Sequence, residues 1–212
     1  MKHIKNELQN IISGDGSIGT RSQLKKTQNF LRRYAETSRS AEKQKYLKSE
    51  EESCLIDFAS NENLLLSYEI SESNFISSGA EQRVYRYDDI HVIKLNDSIF
   101  YEYWLDYFNN IILHNYFFKA TAYEFLGFKI IEQTLYAVVK QEFILATENT
   151  NLDAVKSFLE YNHFKNVRNN DYYNHSLGII FEDLHDENVL FKDGIPYFID
   201  TVFYLTKEFY FK

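Results

Sequence analysis

The chain has 212 residues, with 31 acidic side chains against 23 basic ones and a formal net charge of −8; it has room for one or two domains with a sizeable core, and its acidity excludes non-specific binding to nucleic acid or an anionic membrane as the main role. A single proline excludes collagen-like and polyproline-rich designs, and a single cysteine, Cys54, excludes an internal disulfide and fits a reducing compartment. Met1-Lys2-His3-Ile4-Lys5 lacks the apolar run of a signal peptide, and no segment nears the ~18 apolar residues of a membrane span, so the expectation is a soluble, cytoplasmic protein.

Residues 1 to about 60 read as a polar helical region. Ile4, Leu8, Ile11 and Ile12 recur at helical spacing. A second helix is expected from Ser22 to Glu36, with Ser22 as its N-cap and Leu24, Phe30 and Leu31 as its apolar positions. Between the two, Gly14-Asp15-Gly16-Ser17-Ile18-Gly19 matches G-x-G-x-x-G. A dinucleotide fingerprint needs a strand before it and a helix after it within a parallel sheet, and here a polar helix precedes it. The reading is therefore a loop between helices. Ser38 to Glu52 is highly charged, either a solvated helix or a linker. Cys54, among Leu55, Ile56 and Phe58, reads as an inert buried thiol.

After about residue 60 the texture changes to short β-branched and aromatic runs. Arg83–Tyr87 and His91–Leu95 flank a turn at Asp88-Asp89 and predict a hairpin. A long helix is predicted over Ser98–Phe118, with Tyr103, Trp104, Tyr107 and Phe108 as core. Strands follow at Tyr123–Ile131 and Thr134–Phe143, then a helix at Leu152–Tyr161. Short strands at Gly178–Phe181, Val189–Phe191 and Tyr197–Ile199 close the chain, the last two joined by a turn at Lys192-Asp193-Gly194. The order predicts an α+β architecture in three parts: a helical region 1–60, a sheet-rich part 61–144 and a part 145–212 built from short strands. The apolar end, Phe203-Tyr204-Leu205 and Phe209-Tyr210-Phe211, either packs back on the domain or marks a partner surface.

The chemistry is concentrated in Phe181-Glu182-Asp183-Leu184-His185-Asp186-Glu187-Asn188-Val189-Leu190. Asp183 and Asn188 stand in an Asp-x4-Asn pattern, and Asp200 follows 12 residues later at the end of an apolar run. Phosphoryl transfer from ATP needs such a set: a carboxylate that takes or orients the proton of the attacking hydroxyl, and an amide oxygen with a second carboxylate that hold Mg²⁺ against the phosphates. Asp183 would be the catalytic group, and Asn188 and Asp200 the metal ligands.

This segment resembles the catalytic loop of the protein-kinase-like superfamily, H-R-D-x-x-x-x-N, followed by the metal-binding Asp of D-F-G. Asp-Leu-His-x-x-Asn-Val-Leu is closer to the small-molecule branch, such as aminoglycoside and fructosamine kinases. More specifically, the chain resembles the compact kinase domain of bacterial and phage polyvalent proteins, through Leu113-His114-Asn115, Leu126-Gly127-Phe128, Gln141 and the Asp183–Asn188 loop. The resemblance covers about residues 70 to 205. It implies a kinase-like fold with an antiparallel N-lobe sheet and a minimal C-lobe, in a bacterial, mobile-element setting.

The resemblance also implies upstream features. Ser77-Ser78-Gly79-Ala80-Glu81-Gln82-Arg83-Val84-Tyr85 aligns with G-x-G-x-x-G-x-V-Y, so Ser78 and Gly79 would face the nucleotide phosphates. Val92-Ile93-Lys94 stands for V-A-I-K, with Lys94 the charge on the phosphates. Its acidic partner would be Glu102 or Asp106, which sit at i and i+4 and would share a helix face. Backbone groups of Glu142 and Phe143 would meet adenine. His185 would touch phosphate or orient Asp183.

The departures are Phe181 in place of the family's His, Glu182 in place of Arg, and Thr201-Val202 in place of Phe-Gly. The expected function is ATP- and Mg²⁺-dependent phosphotransfer to a hydroxyl of a protein or small molecule. The alternative is a pseudokinase that serves as a nucleotide-binding or protein-interaction module. Neither reading includes a nucleic-acid or membrane partner.

Overall fold

The computed structural model describes residues 1–14, 22–42, 47–79 and 82–211. Most of the G-x-G-x-x-G segment, part of the charged stretch after Ser38, and Ala80-Glu81 lie outside the described residues. The chain divides into two units. One takes residues 22–42, 47–79, 82–108 and 123–143; the other takes 1–14, 109–122 and 144–211.

The first unit is built on a five-stranded antiparallel sheet. Its strands are β1 (Phe75–Ser78), β2 (Gln82–Arg86), β3 (His91–Asn96), β4 (Glu124–Ile131) and β5 (Thr134–Glu142), in the order β1-β2-β3-β5-β4. The predicted hairpin is present. Its turn is set by Asp88, whose carboxylate accepts the N–H groups of Ile90 (2.9 Å) and His91 (2.8 Å). The Ile90 amide, then the His91 ring, hold the Asp88 carboxyl below its ordinary pKa. Tyr85, Ile93, Leu95, Tyr136 and Val138 form the core of one sheet face.

A bulge at Leu126 in β4 breaks the strict alternation, so Phe125 and Phe128 point to the same, opposite face. There they pack on Phe108 at 5.1 and 5.9 Å between ring centres. Beyond β4 the segment Leu64–Leu66 runs alongside it: Phe128 N–H donates to Leu64 O, and Leu66 N–H to Phe128 O, each at 2.8 Å. A Cβ at Gly127 (φ +143°) would lie 2.3 Å from Leu64 O, so this close approach requires glycine.

Helices α2 (Gln23–Glu42) and α3 (Lys48–Asn61) also belong to this unit. Ser22 caps α2 as expected, its Oγ accepting Lys25 N–H at 3.2 Å. Phe30 and Phe58 stack between the two helices at 4.3 Å. Cys54 is half-buried.

The long helix, α4, runs over Trp104–Phe117 rather than Ser98–Phe118. Asn96 and Asp97 side chains capture the N–H groups of Ser98 (2.7 Å) and Ile99 (3.1 Å), and Ser98 is left-handed (φ 59°), which blocks an earlier start. The helix is begun from outside. Buried Glu51 of α3 accepts Trp104 N–H at 2.7 Å and Leu105 N–H at 3.4 Å, while Asp106 reaches back to Tyr103 N–H at 3.2 Å. Glu102 is therefore an exposed residue ahead of the helix, and the expected shared face with Asp106 does not exist.

The second unit contains α1 (Lys2–Ser13), the C-terminal part of α4, α5 (Leu152–Tyr161) and six strands. These are β6 (Lys165–Arg168), β7 (Asp171–Asn174), β8 (Ile179–Glu182), β9 (Val189–Lys192), β10 (Ile195–Phe198) and β11 (Val202–Leu205). They form a β11-β8-β7-β6 sheet and a β9–β10 hairpin, all antiparallel. α5 matches its predicted bounds and is capped by Asn151, whose side chain accepts Ala154 N–H at 3.0 Å. The core is aromatic: Phe118 stacks on Phe198 at 4.3 Å and Phe181 on Phe203 at 4.1 Å.

The apolar end divides. Phe203 and Phe209 are buried, whereas Tyr210 and Phe211 are exposed. Phe209 is held against α1, where Lys5 donates to Glu208 O (2.7 Å) and Gln9 to Phe209 O. Among the described residues, no helix is long and apolar enough to cross a membrane.

Candidate active site

In the second unit, β8 leads into the 183–188 loop and β9 leaves it. Asp183 takes a left-handed backbone (φ 62°), a conformation that aspartate tolerates better than most residues. Two contacts from the β6–β7 hairpin hold it there. Asp171 Oδ1 accepts Asp183 N–H at 3.2 Å, and Asn170 O accepts Leu184 N–H at 3.4 Å. Sequence reasoning missed this hairpin; Asn169-Asn170-Asp171, with Asn169 at φ 45°, was the turn signal that could have found it.

The loop then closes on itself. Asn188 Nδ2 donates to Asp183 O (2.8 Å) and Asp183 Oδ2 (3.0 Å). His185 Nε2 lies 3.3 Å from Asp183 Oδ1, and its Nδ1 accepts Glu187 N–H at 3.2 Å. Each oxygen of the Asp183 carboxylate thus has a polar partner. His185 Nε2 is also 3.1 Å from Asn188 Nδ2.

Glu182, next in chain, is half-buried. Burial, then the charges of Asp171 and Asp183, push its carboxyl pKa up. Asp200 joins the loop through the backbone: Asn188 O accepts the N–H groups of Ile199 (3.0 Å) and Asp200 (3.3 Å). Asp183, His185, Asn188 and Asp200 are therefore one connected set.

Asp200 is also bracketed from α4 and the turn after it. Thr121 Oγ1 donates to Phe198 O at 2.6 Å, His114 Nδ1 lies 2.8 Å from Thr201 Oγ1, and Asn110 Oδ1 accepts Phe203 N–H at 2.9 Å. Just beyond the end of α4, His114 Nε2 meets Thr121 O at 2.7 Å.

In the first unit, Lys94 sits on central strand β3 in a cross-strand row with Val84, Val139 and Phe125. It is only 3% exposed, with Nζ 5.5 Å from the centre of the Tyr123 ring. A solvated edge lysine is thereby excluded. Of its two candidate acidic partners, Asp106 lies in the first turn of α4 and Glu102 precedes it.

Ser78 ends β1 opposite Arg83. Gly79 N–H donates to Gln82 O at 2.8 Å, and nothing lies within 4 Å of where a Gly79 Cβ would stand. The backbone there is open to a close approach, although the Gly79 amide is committed to the hairpin.

At the end of β5, Phe143 N–H donates to Ile90 O at 2.8 Å, and its ring lies under Arg86 at 4.7 Å. Glu142 faces His91 in the register. That pair is of the non-hydrogen-bonded kind, so the Glu142 peptide groups turn away from β3. The last β5 residue that β4 pairs with is Lys140.

The chain carries two structural signatures: a five-stranded sheet with a buried lysine on its third strand, and an Asp-x4-Asn loop tied by main chain to a later aspartate. No curated protein and no solved structure matches the chain. Residues 48–207 match the family described as serine/threonine/tyrosine kinase found in polyvalent proteins. The match begins at the first residue of α3, so the helix that caps α4 lies inside it. With some three quarters of its length matched, the chain belongs to this kinase family.

Proposed function

We propose that the protein is an ATP- and Mg²⁺-dependent phosphotransferase acting on a hydroxyl of a protein or small molecule. The observation that carries this reading is the connected set in which Asn188 binds the Asp183 carboxylate through Nδ2 and the Asp200 main chain through its carbonyl. Asp183 is the group that takes the proton of the attacking hydroxyl. His185 and Asn188 fix its carboxylate so that it need not reorganise as the proton arrives.

The donor set fits Mg²⁺. With Nδ2 committed to Asp183, Asn188 presents Oδ1, a neutral hard oxygen, and Asp200 adds a carboxylate. Among the described residues no three His, Cys, Asp or Glu side chains converge on a metal position. The remaining oxygens would come from phosphates and water, the usual situation for Mg²⁺ in such sites. When bound, the cation neutralises charge on the transferring phosphates. Lys94, buried on β3, supplies a fixed positive charge for them, with Asp106 better placed than Glu102 as its acidic neighbour. Ser78 and Gly79 offer an uncrowded backbone, and the outward-turned peptide of Glu142 offers an adenine-edge partner, a part that the committed Phe143 amide does not share.

One observation favours the second reading, a pseudokinase serving as a nucleotide-binding or protein-interaction module: Gly79, the sole glycine left in the loop pattern, spends on Gln82 O an N–H that would otherwise face phosphate. Thermal unfolding with ATP, with and without Mg²⁺, tests nucleotide binding. At 100 times its Kd a ligand stabilises by about 2.7 kcal/mol, or ~5–10 °C for this chain length. The shift should need Mg²⁺ and vanish in Asp200→Ala. Absence of any shift at millimolar ATP would overturn transfer and nucleotide binding alike and leave only the protein-interaction module, and a shift without transfer to any hydroxyl would leave the second reading as a nucleotide-binding module.

A further inference from the structure

We propose that α4 positions Asp200 through a buried polar clamp in which His114 acts by way of Thr201. This rests on the reading of Asp200 as a Mg²⁺ ligand, but the clamp itself is visible without it. His114 is fully buried and lies between Thr201 Oγ1 on one side and Thr121 O, with Thr121 Oγ1 farther off at 3.3 Å, on the other. Thr121 O only accepts, so Nε2 carries the proton; Nδ1 is then the acceptor for the Thr201 hydroxyl at 2.8 Å. Thr121 in turn donates its hydroxyl to Phe198 O, and Asn110 accepts from Phe203 N–H. The backbone from 198 to 203 is therefore gripped on both sides of Asp200 by three side chains from α4 and the turn after it. On its other flank, Asn188 O holds the N–H groups of Ile199 and Asp200.

These groups are buried, so a shifted 198–203 segment would leave several donors and acceptors unpaired at once. The neighbouring core cannot supply the same selectivity. Phe181, at the position where the resembled pattern has histidine, stacks on Phe203 at 4.1 Å and has no polar side-chain atom. Stacking tolerates sliding, whereas a hydrogen bond at 2.8 Å does not. The polar hold on the metal-binding segment comes from a histidine on another element.

The test compares the full chain with Thr201→Val, Thr201→Ser, His114→Asn and His114→Gln. Asn keeps an acceptor near the place of Nδ1, whereas Gln keeps only a donor near that of Nε2. Two quantities are read on folded protein: hydrogen exchange of the Ile199 and Asp200 amides without ligand, and the ratio of ATP affinity in Mg²⁺ to that in EDTA. Thr201→Val and His114→Gln should speed exchange and lower the ratio about 10-fold, the usual loss when an outer-shell partner of a metal ligand is removed. Thr201→Ser and His114→Asn should retain most of both, and affinity in EDTA should not move.

Wild-type exchange and a wild-type ratio in Thr201→Val would overturn the clamp. Equal behaviour of His114→Asn and His114→Gln would overturn the route through Thr201. A wild type whose ATP affinity ignores Mg²⁺ would sink the functional reading and with it the metal-positioning role, even where exchange reports the clamp.

Discussion

At Asp183 the chain accepts a left-handed backbone, ties one carboxylate oxygen to Asn188 and sets the other 3.3 Å from His185 Nε2, an arrangement that serves orientation rather than packing. Asp183→Asn is expected to lower transfer about 10³-fold while ATP affinity stays within about twofold, checked by turnover and by nucleotide titration of the same sample. Its neighbour Glu182 carries the opposite penalty. Burial raises its folded pKa above the unfolded value, so its favourable contribution is complete below the unfolded pKa and is lost as pH rises through the folded one. Glu182→Gln should therefore stabilise the protein at neutral pH by no more than about 1–2 °C in Tm, since water screens a half-exposed group, and should lose that advantage in acid. Gly127 and Gly79 make a contrasting pair. Gly127→Ala meets Leu64 O and should cost about 2–3 kcal/mol by urea denaturation, whereas Gly79→Ala meets nothing and should leave stability within about 0.5 kcal/mol.

Helix α4 shows how one element depends on another. Its first turn is capped by Glu51, and Lys48 donates to the carbonyls of Ser98 and Tyr101 just before it, its own pKa lowered by burial. Glu51→Ala should cost about 2 kcal/mol in the same urea assay, the upper end for an N-cap, because two buried N–H groups lose their acceptor. α1 is linked to α4 by Tyr116, whose hydroxyl donates to Glu7 at 2.9 Å and whose pKa burial and Glu7 push up to about 12. Above pH ~10 the unfolded chain releases that phenolic proton and the folded one keeps it, so stability falls between pH ~10 and 12. Tyr116→Phe should flatten that part of the pH–Tm curve.

The sequence reading found α5 and the β2–β3 and β9–β10 hairpins because Asn151, Asp88 and Gly194 carry their own local turn or cap chemistry. It overextended α4 because periodicity continues through Ser98–Tyr103, and the signals that stop it are side chains of Asn96, Asp97 and distant Glu51. The Asp183, Asn188, Asp200 spacing was legible for the same local reason. The clamp from His114 to Thr201 spans 87 residues and left no spacing to read.

On the scale of the whole molecule, the two units have separate cores of different composition. The second is dominated by phenylalanine, from Phe118 to Phe203. The first contains Trp104, the chain's one tryptophan, fully buried, with its indole N–H donated to Glu52 at 3.0 Å. Nature has thus placed an optical probe in one half alone. Tryptophan emission reports the loosening of the sheet unit and is blind to the phenylalanine core, whereas far-ultraviolet circular dichroism sees both. Melting curves that coincide in the two signals mean the units unfold together; curves that separate give the order in which they go.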